Sequence, residues 1–354
     1  MVVLGIDAHK RTHTIVAVDE HGRQLAQRTI NTTTTDHLGL VAWAEALGED
    51  RLWAVEDCRH LSRRLERDLL LAGERVVRVP PKMMAGTRKA ARTYGKSDPI
   101  DAVAVARAAL QETDLPVAQL SGDARGLRLL VDHREDLVAE RTRVINRLRW
   151  HLHELDPTWE PPVRFLSRAK TMSDTRVRLE CCSGIVARLA RSLLDRCEEL
   201  TVEIKALDCE ISDSVALQAQ TLLAIPGCGS LTAAKIIGET ADVRRFRSKD
   251  AYARFNGSAP LPVWSSNHPR QRLSRIGNRQ LNCALYRVAI TQAHWHPEAR
   301  AYLQKRREAG DTSKEAIRAL KRRLSDVIYK ALLADAAGHD AKPMIPPRYR
   351  GCLT

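Results

Sequence analysis

Four acidic residues stand at the ends of predicted elements: Asp7 after one apolar run, Glu56 after a second, and Asp98 and Asp101 at the start of a helix. Asp98 and Asp101 are three apart and share a helix face. Asp7 closes the first strand of a meander, and Glu56 closes the strand that lies beside it in such a topology. Carboxylates gathered in that number repel one another, so the set makes chemical sense around divalent cations. Oxygen ligands suit Mg²⁺ or Mn²⁺. Two such ions about 4 Å apart clamp the attacking and leaving oxygens of a phosphodiester. Each acid also has a plainer reading as a cap, and Asp98 followed by Pro99 has the form of a helix N-cap with proline at the first helical position. Asp19, Glu20 and Asp57 compete by eye for the same roles.

The elements that must position these acids alternate strand and helix signals. Val2–Asp7, His13–Val18 and Gln24–Thr29 read as an antiparallel meander opening a mixed sheet. Thr32–Thr35 and Asp36 cap a helix to about Leu47. A short strand at 52–55, a helix over about 60–72 stopped by Gly73, and a strand at 76–79 closed by Pro80-Pro81 follow. The next helix runs from Asp98 to about Leu110.

The middle of the chain reads as helical. Leu127, Leu130, Leu137, Val144, Leu148, Leu152 and Leu155 suit one long helix. Leu193, Cys197, Leu200, Ile204, Leu207 and Ile211 recur at alternating steps of four and three, a heptad seam. A coiled-coil hairpin follows, either a dimerisation device or an intramolecular stalk. Residues 222–239, LLAIPGCGSLTAAKIIGE, have the helix-hairpin-helix pattern, whose glycines let backbone N–H groups approach a phosphate. A Ser- and Pro-rich segment, 257–267, precedes a basic loop with Arg270, Arg272, Arg275 and Arg279, then helices to about Leu333. From Ala336 the sequence reads as a loose basic tail. Expected boundaries are 1–115, 116–218, 219–335 and 336–354.

Charge narrows the class of partner. The 354 residues carry 57 Lys+Arg against 43 Asp+Glu, a net charge of +14. All of the excess lies from Thr221 onward, where 24 basic residues face 10 acidic ones. Seven further basic residues and no acid lie between Arg75 and Lys96, among them Arg88, Lys89, Arg92 and Lys96. Such a surface is the footprint of a polyanion, most often nucleic acid, with solubility charge as the plain alternative. The KRR runs at 305–307 and 321–323 read as exposed helix faces. No apolar run reaches the roughly 18–20 residues of a membrane span and no secretion signal opens the chain. Eight cysteines without a CxxC pair read as reduced thiols.

GIDAHK at 5–10, AVED at 54–57 and KSDPIDA at 96–102 resemble the DEDD motifs of the insertion-sequence-110 family of transposases. IPGCGSLTAAKIIGE, then FNGSAPLPVWSS at 255–266 and RIGNRQLNCALY at 275–286, resemble the second domain of that family. The resemblance implies an α/β plus α architecture: an RNase H-like, RuvC-type mixed sheet, a helical coiled coil, and a mainly helical C-terminal domain. It implies a bacterial, cytoplasmic, nucleoid-associated, RNA-guided recombinase working on donor and target DNA with an element-encoded bridge RNA, as a dimer or tetramer with no membrane partner. Asp7, Glu56, Asp98 and Asp101 are then the ligands of Mg²⁺ (or Mn²⁺). A C-terminal serine five residues after Pro260, Ser265, attacks the phosphodiester to form a phosphoserine. Ser266-Asn267-His268 stands where the family is glycine-rich, so Ser266 stays open as the nucleophile. Arg88, Lys89, Arg92, Lys96, Arg270, Arg272, Arg275 and Arg279 are the expected nucleic-acid contacts, and His9 and Lys10 line the site. Two rivals remain: a resolvase-like Mg²⁺-dependent nuclease using water, and a non-catalytic nucleic-acid-binding protein.

Overall fold

The computed structural model describes residues 1–57, 61–81, 83–84, 97–112, 115–118, 122–162, 165–265, 268–273 and 277–340. Strands β1 (Val2–Ala8), β2 (Thr12–Val18) and β3 (Gln24–Asn31) form the expected meander. Helix α1 (Thr34–Glu45) is capped by Thr33, whose hydroxyl accepts from the Asp36 N–H. Strand β4 (Arg51–Glu56), helix α2 (Arg63–Leu71) and strand β5 (Val76–Val79) follow. The sheet order is β3-β2-β1-β4-β5, with β4 parallel to both β1 and β5. That order, with only β2 antiparallel to its neighbours, is the RNase H-like sheet. Residues 116–118 shield its outer edge: Val117 bridges Val77, and the Ala118 N–H donates to the Val76 carbonyl at 2.8 Å.

Both faces of the sheet are covered. Leu4, Ile6, Trp53 and Val55 pack under α1 and α2 with Leu40, Leu65 and Leu69. Val3, Val16, Ala54 and Val77 pack on the other face under helix α3 (Asp98–Gln111), through its Ala102, Val105 and Ala106. The N-cap of α3 is Ser97, in an extended conformation, and Asp98 is the first helical residue. The expectation that Asp98 caps the helix is thereby corrected, and its carboxylate does not close the helix end. The approach of α3 to β1 is set by Gly5. A Cβ there would lie 2.1 Å from the Ala102 carbonyl oxygen and 2.6 Å from the Ala106 nitrogen.

Two long helices follow, α4 (Asp123–Leu155) and, after the short α5 (Ala169–Glu180), α6 (Gly184–Gln218). They are antiparallel, as Arg134 pairs with Asp208 and Arg196 with Glu140. Leu137, Val144, Leu148 and Leu152 meet Leu194, Cys197, Leu200 and Ile204 in a core of their own. The heptad seam is therefore filled within one chain. Helix α5 had no counterpart in the sequence reading.

The C-terminal part comprises α7 (Gln220–Leu223), α8 (Ser230–Thr240), α9 (Lys249–Phe255), β6 (Pro260–Ser265), β7 (His268–Leu273), α10 (Arg279–Trp295), α11 (Pro297–Glu308) and α12 (Ser313–Asp340). Its core gathers Leu222, Leu281, Leu285, Leu324 and Ile328, and takes in Leu127 and Val131 of α4 and Ile211 and Val215 of α6. The base of the long hairpin is thus part of this core. Gly227, at φ +82°, makes the turn between α7 and α8, and Gly229 is the N-cap of α8.

Three expectations change. The Pro-rich segment and the first half of the basic loop are an antiparallel ribbon, β6 paired with β7 from Pro260↔Leu273 to Ser265↔His268. Helix α12 continues to Asp340, into the stretch read as tail. Of the 321–323 run only Arg323 is exposed: Lys321 is buried and donates to the Asn282 side-chain oxygen, and the half-buried Arg322 pairs with Asp250 and Asp326.

Gly5→Ala is expected to push α3 off β1 and to lower stability by about 1–3 kcal/mol, the usual cost of overpacking a core, in urea-unfolding midpoints. Gly39→Ala, where nothing lies within 4 Å of the added methyl, serves as the control and is expected to unfold at or above the wild-type midpoint.

Candidate functional site

Alternation along β1 places Val3, Gly5 and Asp7 on the face that α3 covers. Gly5 pairs with Ala54 and Ile6 with Val55, so Asp7 and Glu56 close neighbouring parallel strands side by side. Ala102 touches the Gly5 position, and Asp101 and Asp98 precede it by one residue and by about one helical turn. One close backbone contact therefore delivers two carboxylates from a helix to two from a sheet.

Asp7 and Asp101 are buried, each 6% exposed, while Asp98 is exposed and Glu56 intermediate. The Asp7 carboxyl is pushed up to about 6, chiefly by burial. His9 pulls it down, and the charges of Asp101, Asp98 and Glu56 push it up further. His9 stands between two of the acids, with Nδ1 3.7 Å from Asp7 Oδ2 and Nε2 4.0 Å from Asp98 Oδ1. Asp7, His9 and Asp98 each offer a ligand atom, all within 4.8 Å of one another. The donor set of carboxylate oxygens, whose mutual charge adds to the effect of burial on Asp7, fits a divalent cation. Of the five residues His9 is the one given no role by spacing, because a histidine two positions after a strand-end acid carries no distinctive pattern.

The expected serine lies elsewhere in the fold. Ser265 is the last residue of β6, at the turn end of the ribbon, and Ser266 lies outside the described residues. Arg270 and Arg272 lie on β7 at register positions opposite Val263 and Leu261. Arg279 is the exposed first residue of α10. Arg88, Lys89, Arg92, Lys96 and Arg275 lie outside the described residues.

What holds the root of this ribbon is polar. Asn256, fully buried, donates from Nδ2 to Ser325 Oγ at 2.7 Å and accepts at Oδ1 from the Ser258 N–H at 2.9 Å. Asn282 donates to the Asn256 carbonyl at 2.7 Å and accepts from Lys321. Asn278 caps α10 by accepting from the Leu281 N–H and donates to Glu239 at 2.6 Å. A Cβ on Gly277 would fall 2.3 Å from the Gly257 nitrogen, so two turns lie in backbone contact across the base of the ribbon. The asparagines and glycines of FNGS and IGNRQLN are thus framework for the serine's strand.

Carboxylates converging at the C-terminal ends of the neighbouring interior strands β1 and β4 of an RNase H-like sheet define the class, an enzyme of phosphodiester chemistry using a divalent cation. A DEDD transposase model of IS110 elements, described as "Transposase", matches residues 4–157, and one described as "Transposase IS116/IS110/IS902 family" matches residues 219–304. Similar proteins include an uncharacterized 42 kDa protein of insertion element IS900 from Mycobacterium paratuberculosis, 26% identical over 95% of this chain and 97% of its own length. An uncharacterized 44.8 kDa protein of IS116 from Streptomyces clavuligerus is 28% identical over 94% of each chain. Among solved structures, RuvC of Thermus thermophilus in complex with a Holliday junction substrate aligns at 15% identity over 33% of this chain and 99% of its own, with a TM-score of 0.27. The two family matches together take in most of the chain, which belongs to the IS110 family of transposases, DNA-cleaving recombinases. Among the described residues, no helix is long and apolar enough to cross a membrane, and Cys181, Cys182, Cys197, Cys209, Cys228 and Cys283 are free thiols.

Two outcomes follow from this geometry. Because the folded protein binds the Asp7 proton more tightly than the unfolded chain, this group's contribution to stability falls as pH rises from about 4 to about 6. In EDTA, Asp7→Asn is therefore expected to melt higher than wild type at pH 8 and to lose that advantage near pH 4, whereas added Mg²⁺ raises only the wild-type melting temperature. Asn278→Ala, which removes a cap and a bond to a carboxylate, is expected to cost about 1–3 kcal/mol in chemical denaturation.

Proposed function

We propose that this transposase is an RNA-guided DNA recombinase of a bacterial insertion sequence, in which Asp7, Glu56, Asp98 and Asp101 hold Mg²⁺ or Mn²⁺ and Ser265 is the nucleophile. The observation that carries the reading is the delivery of Asp98 and Asp101 to Asp7 across Gly5, together with a serine at the turn of a separately anchored ribbon. A divalent ion bound by the carboxylates supplies charge to the phosphodiester oxygens and favours ionisation of the attacking hydroxyl.

The chain's own groups do the rest. The Ser265 oxygen attacks phosphorus, a P–O bond to the serine forms, and one P–O bond to deoxyribose breaks. The hydroxyl proton leaves and the departing sugar oxygen takes one up. The number of phosphoester bonds is unchanged, so the reverse attack by a different strand end rejoins DNA with no external energy source. The carboxylates and the serine sit in different parts of the fold, which accords with sites completed between subunits of a dimer or tetramer. In this arrangement 1–115 is the carboxylate domain, 116–218 the coiled-coil and dimerisation region, 219–335 the serine domain and 336–354 a basic tail. Arg88, Lys89, Arg92, Lys96, Arg270, Arg272, Arg275 and Arg279 contact phosphates, while base pairing by the bridge RNA selects the donor and target DNA.

The test is a denaturing-gel assay of the full chain with its element-derived RNA, donor and target DNA, and Mg²⁺. A protease-sensitive DNA adduct is expected from wild type and from Ser266→Ala, and none from Ser265→Ala or Asp7→Ala. Cleavage without an adduct, unaffected by either serine substitution, would replace this reading with a water-using nuclease of resolvase type.

A further inference from the structure

His9 occupies a position that its neighbours make chemically unusual. It follows β1 directly, and its backbone N–H donates to the Thr12 carbonyl at 3.0 Å, so the tight β1–β2 turn fixes where its side chain starts. Its ring is about half exposed, at 47%. The ring spans the space between a sheet carboxylate and a helix carboxylate, Nδ1 toward Asp7 and Nε2 toward Asp98, at 3.7 and 4.0 Å. Neither separation is a hydrogen bond, which for N–H···O closes to about 2.7–3.2 Å. Donor atoms that share one small divalent ion, each about 2.0–2.2 Å from it, stand roughly 3–4.4 Å apart. The two ring nitrogens cannot bind one ion together, but a single His9 nitrogen, one Asp7 oxygen and one Asp98 oxygen all lie within 4.8 Å of one another, a span that a small closing movement brings to the spacing of ligands around one ion.

We infer that His9 is a nitrogen ligand of the cation held by Asp7 and Asp98, so that this site prefers Mn²⁺ and comparably imidazole-tolerant ions over Mg²⁺. The inference rests on the reading of the carboxylates as a cation site and adds to it a fifth donor of a different kind. Imidazole nitrogen binds the divalent first-row transition ions, Mn²⁺ the most weakly of them, whereas Mg²⁺ takes carboxylate and water oxygens and dehydrates reluctantly. Because the turn is held by a backbone hydrogen bond, replacing the ring leaves the strand connection in place.

The test uses the full-length protein loaded with Mn²⁺ alone and reads the metal, not the reaction. In electron spin-echo spectra, wild type is expected to show ¹⁴N modulation from a bound imidazole, and His9→Gln to bind Mn²⁺ without it. Titration is expected to show the Mn²⁺ dissociation constant of His9→Gln raised at least about tenfold, as even outer-sphere partners cost that much, with that for Mg²⁺ changed less than about twofold. Wild-type Mn²⁺ binding that is lost in Asp7→Asn yet carries no ¹⁴N modulation would overturn the role of His9 and leave the carboxylate site standing. Binding unchanged in Asp7→Asn would overturn both. A circular dichroism spectrum and melting curve of His9→Gln matching wild type separate ligand loss from misfolding.

Discussion

The carboxylate end of this protein depends on one backbone contact. Helix α3 lies on β1 so closely that there is no room for a methyl group at Gly5. The small residues Ala102 and Ala106 complete the approach. Because the strand advances about 3.3 Å per residue and the helix 1.5 Å, the acids two residues beyond Gly5 and within one turn before Ala102 arrive at the same place. The resulting crowding of charge is a cost the fold carries at rest, adding to the burial that chiefly raises the proton affinity of Asp7. An apolar core on both faces of the sheet, with Val3, Ile6, Ile15, Val16, Trp53 and Val55 fully buried, holds the acids together against it.

The C-terminal half is organised by the opposite means. A lone two-stranded ribbon is marginal in water, and here its root is held by buried and half-buried amide groups whose partners come from α8, α10 and α12. Asn256, Asn278, Asn282, Ser325 and Lys321 have specific partners, so the network fixes direction as well as position. The sheet unit is positioned by shape and the ribbon by hydrogen-bond geometry. Between them, Arg254 of α9 reaches Glu112 at 3.3 Å, and Arg245 reaches the Val117 carbonyl beside β5.

Period-two alternation made the meander and its parallel neighbours legible, and with them the adjacency of Asp7 and Glu56. The heptad seam was legible because a repeat of seven has few other causes. The ribbon was not, since Pro260 and Pro262 argue against a strand when no partner is in view, and only pairing with 268–273 reveals one. Lys321 reads as surface on composition; its burial follows from Asn282, 39 positions away. The weight of His9 is not legible in the sequence, because its meaning comes from Asp98, which is distant in sequence.

The prolines of β6 have a consequence for how copies of this chain can meet. Residues 260, 262 and 264 point their backbone groups the same way, and since proline cannot donate to a ladder, that way must be outward from β7. Two of the three donors on the outer edge of the serine's strand are therefore missing. Such an edge is a poor template for a third strand. The ribbon is therefore ill suited to fusing edge to edge with a copy of itself into a wider sheet, and Ser265 keeps its place at the turn.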